Sequence, residues 1–163
     1  MLPHLNTAFN YARWLTKSDA DAEDVVQEAC LRAMRFLSSL RDGDARPWLL
    51  AIVRNTWYSR AARRTAAPDR APFERARDER PDEELDPEQR LVQRDTVARV
   101  RAALDALPAD FREVILLRDI EGLSYKEIAD VVRVPIGTVM SRIARGRERL
   151  IEILRPARTE VMR

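Results

Sequence analysis

Residues 134–150, "VPIGTVMSRIARGRERL", carry four arginines against a single acid. On a helix turning about 100° per residue, Thr138, Ser141, Arg142, Arg145 and Arg149 fall on one side. Val139, Ile143, Gly146, Leu150 and Leu154 fall on another. The first set has the chemistry to bind duplex DNA. An arginine can hold guanine O6 and N7 together, or clamp a phosphate. Thr138 and Ser141 lie in the first turns, where recognition helices address base edges, and can bond phosphate or touch a thymine methyl. A second set lies in "ARPWLLAIVRNTWYSRAARR" (45–64), where aromatics interleave with arginines. Arg54, Arg60, Arg63 and Arg64 can follow a phosphate backbone, and an exposed Trp or Tyr can stack on an unpaired base for about 1–3 kcal/mol. Trp48, at the helix start beside Leu49, reads as core. Trp57 and Tyr58 cannot both point inward, so one of them is the stacking candidate.

No comparable set suggests catalysis. The chain has no glycine-rich phosphate loop, metal cluster or nucleophile–base pair, and it reads as a non-enzyme without cofactor or metal. His4 and Cys30 are the single histidine and cysteine. An internal disulfide and a Cys/His zinc site are therefore excluded for a monomer. Cys30, inside the amphipathic "VVQEACLRAMRFL", reads as a small packed side chain.

These side chains need helices to position them. Four glycines in 163 residues, with abundant Ala, Leu, Arg and Glu, favour an all-α protein. Leu2, Leu5, Phe9 and Ala12 predict a helix over 2–16. A second helix is expected over 21–38, with Val25, Ala29, Ala33 and Phe36 inward and Ser18, Asp19 or Asp21 as its N-cap. A third covers 47–64 behind the loop "RDGDARP" (41–47). Residues 88–107 place Val97, Val100, Leu104 and Leu107 on one stripe. Asp110 and Glu113 read as a D-x-x-E helix start, with a stop at Gly122. Ser124 and Glu127 form an S-x-x-E capping box for a short helix to about 132. After "RVP" the last helix starts near Ile136 and ends before Pro156. A short capped helix, a tight turn and a longer helix make a helix-turn-helix.

The net charge of +2 conceals segregation. Residues 41–64 hold six arginines against Asp42 and Asp44, and 133–149 hold five against Glu148. Between them, residues 65–89 hold nine acids and four arginines. Two basic blocks around an acidic, proline-bearing stretch suggest two nucleic-acid-facing surfaces. The domain reading is 1–64, a flexible linker 65–87, and 88–163: two small helical domains. No apolar run approaches the ~20 residues of a membrane span, and no secretory start is visible, so the chain reads as cytoplasmic without direct membrane insertion.

"LSYKEIADVV" followed by "VPIGTVMSRIARGRERL", within 107–150, resembles region 4 of the σ70 family, most closely the short extracytoplasmic-function (ECF) sigma factors. "DAEDVVQEACLRAM" (20–34) resembles region 2.2, and 45–64 resembles regions 2.3 and 2.4. The resemblance covers almost the whole chain, in the family's order. It implies an alternative sigma factor that binds core RNA polymerase and directs promoter-specific initiation. Asp21, Asp24, Gln27 and Glu28, on their own an ordinary polar helix face, would then dock on the β′ coiled coil. Arg54, Asn55, Trp57, Tyr58, Arg60, Arg63 and Arg64 would melt and read the −10 element, and Thr138, Ser141, Arg142, Arg145 and Arg149 the −35 element. Asn55 matches an asparagine common in the family, whereas Ser59 stands where the family often has Asp. The loop 41–47 corresponds to the family's base-capturing loop. An anti-sigma factor is the implied regulator. The alternative from the residues is an autonomous helix-turn-helix regulator, or a helical module that binds only protein; a repressor has no need of 20–34.

Overall fold

The computed structural model describes residues 2–40, 43–65 and 86–156. Most of the expected linker (66–85) and residues 41–42 of the loop expected to capture a base lie outside the described residues. Every regular element among the described residues is helical, as the composition predicts. A 3₁₀ turn, Leu2–His4, leads into α1 (Leu5–Thr16). Lys17 closes α1 in the left-handed region at φ 57°. Ser18 is the cap of α2 (Asp19–Arg35), its hydroxyl accepting from the Asp21 N–H at 3.3 Å, with Asp19 and Asp21 in the first turn. Both acids lie at the positive end of the helix dipole. The helix stops earlier than expected: Phe36 is its C-cap, and 59% exposed instead of inward. Leu31, Met34 and Leu37 are also exposed, so α2 ends in an apolar patch facing solvent.

α3 (Ala45–Thr65) buries Leu49, Leu50, Val53 and Thr56 against α1 and α2. Its Trp48 packs on the core as expected. α4 (Pro87–Asp105) starts on a proline at its first position, where a missing N–H does no harm. Leu104 and Leu107 are buried, but Val100 is exposed and lines a cleft with Trp14 of α1. Arg112 turns the corner: its guanidinium donates to the carbonyls of Leu104, Asp105 and Leu107, each at 2.9 Å, satisfying the end of α4.

α5 (Ala109–Ile115) begins after Pro108 with no side-chain cap, so the expected D-x-x-E start does not form. Glu113 is engaged elsewhere. One π-helical turn, Leu116–Ile120, follows, and Gly122 ends the segment at φ +72°. The capping box forms as read: Glu127 N–H donates to Ser124 Oγ at 3.1 Å and Ser124 N–H to the Glu127 carboxylate at 3.3 Å. It starts α6 (Tyr125–Val132). Arg133 makes the turn at φ 58°, a conformation costing a non-glycine residue about 1 kcal/mol. α7 (Ile136–Leu154) completes the helix-turn-helix, burying Val139, Ile143 and Gly146. A Cβ on Gly146 would stand 2.5 Å from Ile115 Cδ1 and 3.3 Å from Phe111 Cβ, so the missing side chain lets α7 approach α5.

The two helical units are packed together. One buried cluster runs from Ala8, Tyr11, Val25, Leu49, Leu50 and Val53 to Val114, Leu117, Leu123, Ile128 and Ile143. α3 lies against α6, and Trp14 packs on a second cluster of Leu104, Leu107, Ile115 and Leu116. Burial of this kind stabilises by about 1.5–3 kcal/mol per large apolar side chain. No helix among the described residues is long and apolar enough to cross a membrane.

Candidate nucleic-acid interface

α7 separates its two faces as the wheel predicts. Val139 and Ile143 turn inward, and Leu150 packs on the second cluster. Ser141, Arg145 and Arg149 face solvent, and Thr138 and Arg142 are half-buried at the edge of the same face. No side-chain hydrogen bond or ion pair among the described residues holds Thr138, Ser141, Arg145 or Arg149. Arg142 stands 3.9 Å from Asp110, itself well exposed. The remaining arginine, Arg147, lies off this face and donates to Asp119 at 2.6 and 3.2 Å. That hydrogen bond, only partly offset by burial, raises the Arg147 pKa. The bond pins α7 to the π turn without involving the Thr138–Arg149 face.

On α3 the opposite holds. Every arginine of the expected set has a carboxylate. Arg60 donates to Glu28 at 3.0 Å and stands 3.9 Å from Asp24. Arg63 stands 3.5 Å from Glu28, and Arg64 donates to both oxygens of Asp21, the nearer at 2.9 Å. Burial pushes the Glu28 carboxyl up, but hydrogen bonds and charge from Arg60 and Arg32 outweigh it, and Glu28 lies below the usual carboxylate range. The acids expected to face polymerase and the arginines expected to face DNA therefore meet in one α2–α3 surface. Gln27 is exposed beside them.

Arg54 has a different partner. Its Nε donates to Glu113 Oε1 at 2.6 Å and its Nη2 to Oε2 at 3.4 Å. Tyr11 Oη donates to the same Oε1 at 2.6 Å. Glu113 is only 5% exposed. Burial and then the Glu113 charge push the hydroxyls of Tyr11 and Tyr58 up; for Arg54, burial is outweighed by the hydrogen bond and charge of Glu113 and the guanidinium is raised. The Arg54 guanidinium also lies 4.6 Å from the centre of the Tyr58 ring. Of the two stacking candidates, Trp57 packs on the core and Tyr58 is 45% exposed. Asn55 is half-buried on the same helix.

The sequence reading missed Tyr11 and Glu113, and Arg46, whose Nη1 donates to the Glu121 carbonyl at 3.0 Å. For Glu113 a signal existed: a lone acid in "FREVILL", one turn before Leu117, sits on an otherwise apolar side of the helix. Tyr11 and Arg46 carried no such signal, because their partners lie in the other unit.

Comparison with known proteins accounts for both units. Residues 2–67 match the model of Sigma-70 region 2, and residues 98–150 that of Sigma-70, region 4. The ECF RNA polymerase sigma factor SigE of Mycolicibacterium smegmatis is 37% identical over 151 residues, 93% of this chain and 58% of that protein. The RNA polymerase sigma-H factor of Pseudomonas aeruginosa is 36% identical, covering 83% of this chain and 74% of that one. The ECF RNA polymerase sigma-E factor of Escherichia coli is 36% identical, covering 83% and 75%. The chain thus spans a little over half of the first relative's length and about three quarters of the other two. Among solved structures, the sigma factor RpoE in complex with the anti-sigma factor NepR from Bartonella quintana superposes with a TM-score of 0.75 at 28% identity, covering 96% of this chain and 95% of that one. CnrH in complex with the cytosolic domain of CnrY gives 0.66, also at 28% identity, covering 94% and 83%.

Proposed function

The chain belongs to the extracytoplasmic-function sigma factors of the σ70 family, and we propose that it binds core RNA polymerase and directs promoter-specific initiation through two DNA contacts. α7 reads duplex −35 DNA with Thr138, Ser141, Arg142, Arg145 and Arg149. α3 captures unpaired −10 bases, with Tyr58 as the stacking ring, Asn55 beside it, and Arg54, Arg60, Arg63 and Arg64 along the strand. Trp57, packed on the core, supports that helix from behind. Asp21, Asp24, Gln27 and Glu28 form the docking face for the β′ coiled coil, where carboxylates and an amide can pair with arginines of a partner helix. The units fall at 1–64 and 88–163, with 65–87 as the link. Polymerase supplies the chemistry and this chain supplies position. An anti-sigma factor is the regulator proposed, in keeping with the similar RpoE structure, a complex with the anti-sigma factor NepR.

One observation carries the reading: the donor row of α7, mounted on a capped helix-turn-helix, in which Thr138, Ser141, Arg145 and Arg149 have no intramolecular partner among the described residues. Arg142 alone is shared, standing 3.9 Å from Asp110. Run-off transcription with purified core polymerase tests it. Promoter-specific transcripts are expected only when the protein is added. A footprint on duplex DNA without polymerase, and no transcripts with it, would instead support an autonomous regulator.

A further inference from the structure

We propose that Glu113 is an intramolecular latch that holds the two helical units closed and keeps Arg54 and Tyr58 from single-stranded DNA until the chain opens. The inference rests on α3 being the −10 helix.

Three helices meet at one carboxylate. Tyr11 comes from α1, Arg54 from α3 and Glu113 from α5; the partners lie 102 and 59 residues away in the chain. Both side-chain partners of Glu113 belong to the first unit. Among the described residues its carboxylate bonds no side chain of its own unit. Closed, it occupies the Nε edge of the Arg54 guanidinium, the edge a phosphate would otherwise take. Tyr58 is held beneath that same guanidinium, which leans over the ring a base would stack upon. The Arg46 bond to the Glu121 carbonyl is a second strut across the same interface.

The energetics suit a reversible device. Burying a carboxylate and a guanidinium is expensive, and their attraction roughly offsets that loss when the remaining bonds are made. Here Tyr11 supplies the extra bond. The net stabilisation is then small, although removing one partner is strongly unfavourable to the closed form. A phosphate that takes Arg54 competes directly with Glu113, so closure and strand capture exclude each other. Apparent affinity for a single strand falls by the fraction of chains that are open.

The test uses the full free chain with Glu113→Gln, which keeps the shape and removes the charge. Small-angle scattering should report a larger radius of gyration. Fluorescently labelled oligo(dT) should bind about tenfold more tightly than to the parent, a change of about 1.4 kcal/mol. Adding Arg54→Ala should abolish that gain. If Glu113→Gln does not fold, Tyr11→Phe removes only the neutral donor and should give a smaller gain in the same direction. A folded Glu113→Gln chain with unchanged radius and unchanged affinity overturns the latch. An expanded chain with unchanged affinity overturns the masking. Promoter opening by holoenzyme carrying Arg54→Ala then separates the two readings. Impaired opening leaves the −10 role of α3 standing without a mask, whereas normal opening removes that role itself.

Discussion

The two basic helices treat their arginines in opposite ways. On α7, Arg145 and Arg149 project into solvent with no intramolecular partner among the described residues. On α3, Arg60, Arg63 and Arg64 are drawn onto Asp21, Asp24 and Glu28, and Arg54 onto Glu113. The difference follows from what each would bind. Duplex DNA is found through long-range attraction to phosphates, and bare cations on a convex helix serve that. A single strand is held by close stacking as well as charge, and any exposed RNA or unpaired DNA would satisfy a bare arginine-aromatic face. Neutralising α3 with acids from its own unit and from the other would limit such binding in the free chain. A face for duplex could stay open, because discrimination there would reside in base edges.

The largest effect should come from breaking the mount of the open face. Gly146→Val places a branched side chain where even a Cβ would meet Ile115 and Phe111. Repacking should destabilise the second unit by about 3 kcal/mol, beyond the gain in helix propensity from losing glycine. Thermal denaturation followed by circular dichroism measures it. A variant as stable as the parent would mean that α7 is not seated against α5 as described.

Next come the arginines of the open face. If Arg142 touches a base, Arg142→Ala should weaken −35 binding by about 1–3 kcal/mol and relax sequence preference. Its position at the edge of the face, 3.9 Å from Asp110, means that some of its charge is already shared. Arg145→Ala should differ in kind. Losing an exposed arginine that acts on phosphate weakens all duplexes alike and lowers the salt dependence by about one contact. Competition binding over a range of salt separates the two. Equal, sequence-independent losses for both would make the whole row a phosphate clamp.

Much of this contrast was legible in the sequence, but only within elements. The α7 wheel sorted packing from donors because 3.6-residue periodicity is local and Val139, Ile143 and Gly146 keep to it. The capping box at Ser124 and the stop at Gly122 were legible for the same reason: each is made within a few residues. Phe36 was misplaced because a periodic pattern does not show where a helix ends, and α2 ends one residue earlier. Glu113 was misread because a local motif, D-x-x-E, competed with a partner 59 residues away. The bonding of Arg54, Arg60 and Arg64 was invisible for that reason too. Charge runs show which residues are basic, but pairing depends on how α2, α3 and α5 cross.

The smallest predicted effect tests whether the pairing on α3 matters. Glu28 serves Arg32, Arg60 and Arg63 together, so Glu28→Gln strips more arginines of a partner than any other single change there. As a partly solvated network it should contribute less than about 1 kcal/mol. Its folded pKa is depressed, so the contribution is fully present above the ordinary glutamate value of about 4.3 and disappears as pH falls through the lower folded value. Parent and variant should therefore differ slightly at neutral pH and converge in acid, by urea denaturation at several pH values. Affinity for oligo(dT) should move the other way, rising modestly as Arg60 and Arg63 are freed. A stability loss without that rise would make these ion pairs simple braces between α2 and α3. The asymmetry between the two basic faces would then rest on Glu113 and on the Asp21–Arg64 pair.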